Sequence, residues 1–201
     1  MRIERCLIDS GYVPAVVDDV CRHSIHAAVL MPSRGVGIGA AGRPMTEYDR
    51  TRGDRIGFNW LIPKATDQRL MRHFRYDTNF WKSFVHARLA TPLGDTGCLS
   101  LFGRSHDEHR LIADHLVAEV PVRTSGQGRT VDEWRQKPDR PDNHLADCLT
   151  GCAAAASLCG AVLPGSGASQ PKQPRKRISM AELQRQAQLR RGIAPAWHPA
   201  R

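Results

Sequence analysis

Asp9 and Asp147, 138 positions apart, are the residues of this sequence whose types and settings point to chemistry. Asp9 closes the run Arg5-Cys-Leu-Ile-Asp9, which reads as a short buried strand, and Ser10 and Gly11 turn the chain away from it. Asp147 sits in Pro141-Asp-Asn-His-Leu-Ala-Asp-Cys-Leu-Thr-Gly-Cys-Ala-Ala-Ala-Ala-Ser-Leu-Cys-Gly160, an Ala- and Leu-rich stretch that predicts a helix over about 143–159. Asp142 or Asn143 is the expected N-cap, and Gly160 followed by Pro164 ends the helix. Leu145, Cys148, Leu149, Cys152, Ala155, Ala156 and Cys159 recur at helical spacing and form the expected packing face. An acid in such a helix has two readings. It answers the partial positive charge of the helix N-terminus, or it is a metal ligand.

The intervening elements must bring these two acids together. Residues 13–24 place Val16, Val17, Val20 and Cys21 on one face, the pattern of an amphipathic helix, and residues 27–31 read as a second strand. Strand, helix, strand in that order implies a right-handed parallel crossover, hence an α/β sheet. Residues 37–42 match the spacing G-x-G-x-x-G, but Arg43-Pro44 and a polar stretch follow instead of a helix. No helix N-terminus is offered to a pyrophosphate, and a loop is expected. Residues 58–62 and 98–102 read as strands and 67–72 are ambiguous. Residues 78–89 read as a helix packed through Phe80, Trp81, Phe84, Val85 and Leu89. In the helical run 106–117, His106, Asp107, Glu108, His109 and His115 spread around the axis instead of converging on a metal. Residues 119–123 and 129–135 alternate about Ser125-Gly-Gln-Gly128 as a hairpin, with Trp134 open to packing or to a DNA contact.

Net charge is +9 over 201 residues, and residues 164–201 carry eight basic residues against one acid, or +7 of it. A basic tail of this kind favours nucleic acid through phosphate neutralisation, and it also arises as a solvated end. The expected organisation is one domain over 1–163 and a linker with basic tail over 164–201, the tail holding Lys176 and Arg177 in a helix over 176–191. Six cysteines occur without a Cys-x-x-Cys, so reduced, buried thiols are expected in place of zinc. No run approaches the ~18 apolar residues of a membrane span. The start, Met-Arg-Ile-Glu-Arg, has no signal-peptide core, which predicts a cytoplasmic protein without membrane contact.

A strand-end Asp and an Asp on an apolar helix are the acids an RNase H-like nuclease uses to hold divalent metal. The sequence resembles the C-terminal endonuclease domain of phage terminase large subunits of the lambda GpA type. The resemblance rests on Ile8-Asp-Ser-Gly11, Gly42-Arg-Pro44, His109-Arg-Leu-Ile-Ala-Asp-His-Leu116, and Arg129-Thr-Val-Asp-Glu-Trp134 leading into Pro141-Asp-Asn-His-Leu-Ala-Asp147, over roughly residues 3–163. It implies an RNase H-like mixed sheet flanked by helices. It also implies Mg2+- or Mn2+-dependent cutting of concatemeric double-stranded DNA during genome packaging, with Asp9 and Asp147 as catalytic metal ligands. The terminase small subunit and the portal are the implied partners. Arg135, Lys137 and Arg140 lie near Asp147 in sequence, to touch phosphates or to be solvated; Lys176 and Arg177 are further candidate DNA contacts. No G-x-x-x-x-G-K-[ST] is present, so the family's ATPase motor is not in this chain.

One departure bears on activity. In that family a further Asp lies on a strand upstream of the segment matching Asp9, and this chain begins about one strand before Asp9. The resemblance therefore implies an incomplete, N-terminally truncated RNase H-like fold. Such a chain lacks full activity on its own, or it recruits another acid such as Asp142 or Glu133. The alternative function is a non-enzymatic DNA-binding or packaging-interaction fragment.

Overall fold

A computed structural model describes residues 2–66, 71–103, 105–140 and 142–162. Within them Cys6–Asp9 forms strand β1, Pro14–His23 helix α1 and Leu30–Val36 strand β2. β1 and β2 pair in parallel, with Asp9 beside Ser33, as a strand, helix, strand crossover requires. β2 begins three residues later than the apolar run at Ala27 suggests. The Ser24 hydroxyl accepts from His26 N–H, and the N–H groups of Ala27 and Val29 close turns onto Ser24 and His26, which takes this backbone out of the ladder. Gly35 and Val36 end β2, and the rest of the glycine run is loop, without a helix behind it.

The segment expected as one strand at 58–62 is a hairpin. β3, Arg55–Gly57, and β4, Trp60–Ile62, are antiparallel about Phe58-Asn59, with Asn59 at φ 51°, a conformation Asn accepts more readily than most residues. A further strand, β5 at Phe74–Asp77, had no clear sequence signal, being four residues long with Arg75 in its middle. It is nevertheless central, running parallel to β2 and antiparallel to β4. The five-stranded sheet has the order β1-β2-β5-β4-β3 and mixed direction, flanked by helices.

β5 leads directly into α2, Thr78–Leu89, where the helical spacing placed it. Asp77 is its N-cap: the carboxylate accepts from the N–H groups of Asn79 and Phe80, and also from Ile38 N–H in the glycine loop. Burial pushes the Asp77 carboxyl up, against those N–H donors and Arg129, which favour the anion. Residues 98–102 form no strand. Cys98 N–H closes a turn on Asp95 and Leu99 N–H bonds Arg88 C=O, so the segment is tied to the end of α2 instead of to a ladder. A 3-10 turn at His106–His109 precedes α3, Arg110–Leu116. β6, Glu119–Gly126, and β7, Arg129–Gln136, make the expected hairpin, with Gln127 and Gly128 both at positive φ in its two-residue turn. Trp134 packs: its indole N–H donates to Ser83 Oγ at 2.9 Å and its ring stacks on His86 at 4.2 Å.

α4, His144–Leu158, closes the fold with the acid-bearing helix. Its buried residues are Ala146, Thr150 and Ala154, so the packing face lies about half a turn from the one the cysteines suggested. Cys148, Cys152 and Cys159 are exposed, as is Cys6; only Cys21 is buried. The physical reason is size. Small residues at 146, 150 and 154 let the helix approach the aromatic core of Trp60, Ile62, Phe74, Tyr76 and Trp81. Asn143 occupies the N-cap position without a side-chain cap, its amide being used elsewhere. α1 likewise buries only Cys21, leaving Val16 and Val20 about half exposed.

Replacing Asp77 by Ala removes the α2 cap and strands Ile38 N–H at once. The expected loss is about 1–2 kcal/mol of unfolding free energy by urea titration, with Asp77→Asn losing less.

Candidate active site

Side chains on a strand alternate between faces, so the register fixes what shares a face with Asp9. Asp9 lies beside Ser33 and Ser33 beside Phe74; one step on, Gly35 lies beside Tyr76. α4 lies over this face at the C-terminal ends of the parallel strands, where open α/β sheets leave a crevice. The crevice is a cleft of about 900 Å³, and Asp9 and Asp147 both line it. Gly35 keeps its floor low, since a Cβ there would overlap Thr78 Cγ2. Gly151 on α4 passes over the ring: a Cβ there would meet the Tyr76 hydroxyl at 3.8 Å.

Asp9 is exposed and held by its own turn, Gly11 N–H donating to Oδ1 at 3.1 Å. A side chain at position 11 would press on its other oxygen at 3.3 Å, so the glycine keeps that oxygen accessible. Asp147 points its carboxylate into the cleft from the first turn of α4, and Lys82 Nζ meets its Oδ1 at 2.9 Å. Lys82 also grips both oxygens of Glu119, at 2.7 and 2.6 Å, and Asn143 Nδ2 donates to Glu119 Oε1 at 2.5 Å. Tyr76 lines the same cleft: burial first, then Asp147 and Asp9, push its phenol well above the usual range, so it stays a neutral hydroxyl.

The cations of the cleft are Arg5, Arg34 and Lys82, with His144 beside them. Arg135, Lys137 and Arg140 are not on its walls. Arg135 pairs with Glu133 and Arg140 with Asp114, while Lys137 N–H bonds Ala118 C=O. Lys176 and Arg177 lie outside the described residues. Neither acid suggested as a recruit lines the cleft: Glu133 accepts from Ala40 N–H and Thr124, and exposed Asp142 is 3.8 Å from His144.

Lys82 had a legible signal, a charged residue inside the apolar stripe of α2 between Trp81 and Val85. Glu119 had none, since only the tertiary pairing brings the start of β6 to α2. Among the described residues no group of three or more His, Cys, Asp or Glu converges as metal ligands. Asp9 and Asp147 are hard oxygen donors on one open cleft, the ligand chemistry that Mg2+ and Mn2+ prefer. No helix among the described residues is long and apolar enough to cross a membrane.

A mixed α/β domain with an acidic cleft at its strand ends, flanked by cations, is the class these features define. Residues 1–163 match the family model of the terminase large subunit gpA, endonuclease domain. The chain belongs to this family. No curated protein and no solved structure matches the chain.

The thiols offer a direct check on the orientation of α4. Iodoacetamide on the native protein, read by peptide mass spectrometry, modifies Cys6, Cys148 and Cys159 readily and spares Cys21, which is fully buried. Cys152 lags Cys148, because desolvation and then the neighbouring Cys148 and Cys6 push its thiol up and reduce the reactive thiolate. Equal protection of Cys148 and Cys21 would place the cysteine face against the core.

Proposed function

We propose that the cleft between β1 and α4 is the DNA-cutting site of a metal-dependent terminase endonuclease with an RNase H-like arrangement of acids, acting on concatemeric double-stranded DNA during packaging. The convergence of Asp9 and Asp147 on one cation-flanked cleft, within a chain of this family, carries the proposal. Asp9 and Asp147 are the residues that would hold Mg2+ or Mn2+, which when bound supplies Lewis acidity toward the scissile phosphate and its attacking water. The chain's own residues do the rest. Arg34, exposed on the cleft, and Arg5 meet phosphate oxygens, Lys82 keeps Asp147 in place, and neutral Tyr76 offers a hydroxyl donor on the same cleft. The small subunit, the portal and the host cytoplasm are the partners and place this role entails, with residues 164–201 as an additional phosphate-binding segment beside the 1–163 domain.

A second reading has its own observation. Among the described residues the acids that line the cleft are two, and one of them is engaged by Lys82, which suits a DNA-binding or packaging fragment that does not cut. Plasmid nicking separates the two. Slow Mg2+- or Mn2+-dependent conversion of supercoiled to open-circular DNA is expected with protein in excess. Asp9→Asn or Asp147→Asn lowers it by roughly 100-fold, about 2.7 kcal/mol of transition-state stabilisation. DNA retention with no metal-dependent nicking establishes the second reading, and nicking indifferent to both substitutions removes these acids from the mechanism.

Binding itself is checked through salt. Arg34→Ala lowers the slope of log affinity against log salt by about 0.9, the value of one neutralised phosphate, and deleting 164–201 lowers it by several times that. A slope unchanged by Arg34→Ala takes the DNA off the cleft.

A further inference from the structure

We propose that Lys82 is a positioning residue that sets the charge of this site: its ammonium offsets Glu119 and holds Asp147, so that the cleft offers a divalent ion the carboxylates of Asp9 and Asp147. The inference rests on the nuclease reading of the cleft and goes beyond it, to how a site with two converging acids is balanced.

The Lys82 side chain is only 11 % exposed, in the apolar stripe of α2 beside fully buried Trp81 and Val85. Burying an ammonium is unfavourable unless each donor is met. Here the ammonium donates to Glu119 Oε1 and Oε2 and is ion-paired with Asp147 Oδ1 at 2.9 Å. The two acids are not equivalent. Glu119 is 9 % exposed, with both oxygens on Lys82 and one also taken by Asn143, so it faces the protein. Asp147 is 45 % exposed and faces the cleft. Glu119 is therefore the anchor and Asp147 the working end.

The charges then balance simply. Within this cluster Lys82 and Glu119 cancel, leaving the two negative charges of Asp9 and Asp147 as the anionic part of a cleft whose Arg5 and Arg34 remain for phosphate. Without the ammonium the same cluster would present three carboxylates. A pair serving the fold alone would have no need of charge, since apolar or neutral hydrogen-bonded residues hold helices together without the desolvation penalty. Lysine suits the task as a point charge on a stem that α2 holds from behind.

The experiment is Mn2+ binding to the whole chain, read by the electron paramagnetic resonance of free ion. Wild type is compared with Lys82→Met, Glu119→Gln and the double variant. Lys82→Met is expected to bind Mn2+ about tenfold or more tightly, the effect of one extra charge on a divalent ion about 6 Å away even at the dielectric constant of water. Glu119→Gln is expected to weaken binding by a similar factor, and the double variant, with net charge restored, to return to within about threefold of wild type. Opposite shifts in the two single variants are a signature that loss of packing does not give. Should Lys82→Met fail to fold, Glu119→Gln and the double variant carry the test. Unchanged affinity in Glu119→Gln, or a double variant that does not return, overturns the proposal. If wild type binds no Mn2+ and Asp9→Asn changes nothing, while Lys82→Met gains a site, the charge-setting role stands and the metal-dependent reading of the native chain falls. No binding in any variant defeats both.

Discussion

An ammonium ion enclosed by protein must be surrounded by acceptors, and meeting that requirement at Lys82 gathers three separate parts of this chain. α2 supplies the cation, the first residue of β6 supplies Glu119, and the first turn of α4 supplies Asp147. Asn143, at the N-cap of α4, joins the same cluster through Glu119 instead of capping its own helix. The local rule that an Asn caps a helix yields to a stronger demand, because an underbonded buried carboxylate is costlier than a helix N-terminus that water can reach. The cluster thereby fixes how α4 meets the sheet, and with it the direction in which Asp147 points.

A second polar device works in parallel one turn earlier on α2. Asn79 accepts from Trp134 N–H and donates to Ile38 C=O, so a single buried amide joins the helix to the hairpin and to the loop after β2. Asp77, two residues earlier at the N-cap, gathers the N–H groups of Ile38, Asn79 and Phe80. These contacts tie the glycine-rich loop to α2: Ile38 N–H is answered by Asp77 and Ile38 C=O by Asn79. Buried polar groups that are fully met in this way specify one arrangement of otherwise interchangeable apolar layers.

The apolar contribution is concentrated and aromatic. Phe74 stacks on Tyr76 and lies tilted against Trp60, while Trp81 meets Phe58, Phe80 and Phe84 edge to face, and a side chain such as Phe74, wholly removed from water, contributes about 2–3 kcal/mol. Tyr76 belongs to this core and to the cleft at once, with its ring in the cluster and its hydroxyl beside the acids. Core and site therefore share a wall, which makes the position of the acids a consequence of packing.

Residues near one another in the chain made much of this legible in advance. The strand ending on Asp9, the α2 helix, the β6–β7 hairpin and the acid-bearing helix follow from local periodicity and turn chemistry, because hydrogen bonds inside a helix or across a two-residue turn depend on neighbours alone. The motifs of the gpA endonuclease family are likewise local, and the match over residues 1–163 bears them out. What depended on distant partners was not legible. β5 is a strand because β2 and β4 lie on either side of it, and residues 98–102 are not, because no strand lies beside them. The face that α4 buries was decided by the width of the aromatic core, which admits Ala146, Thr150 and Ala154 and turns the cysteines outward. Glu119 entered the site from 37 residues beyond Lys82, through a contact no sequence spacing encodes. The types of the acids are written in the chain, but their shared cleft and the charge that balances them exist only where the layers meet.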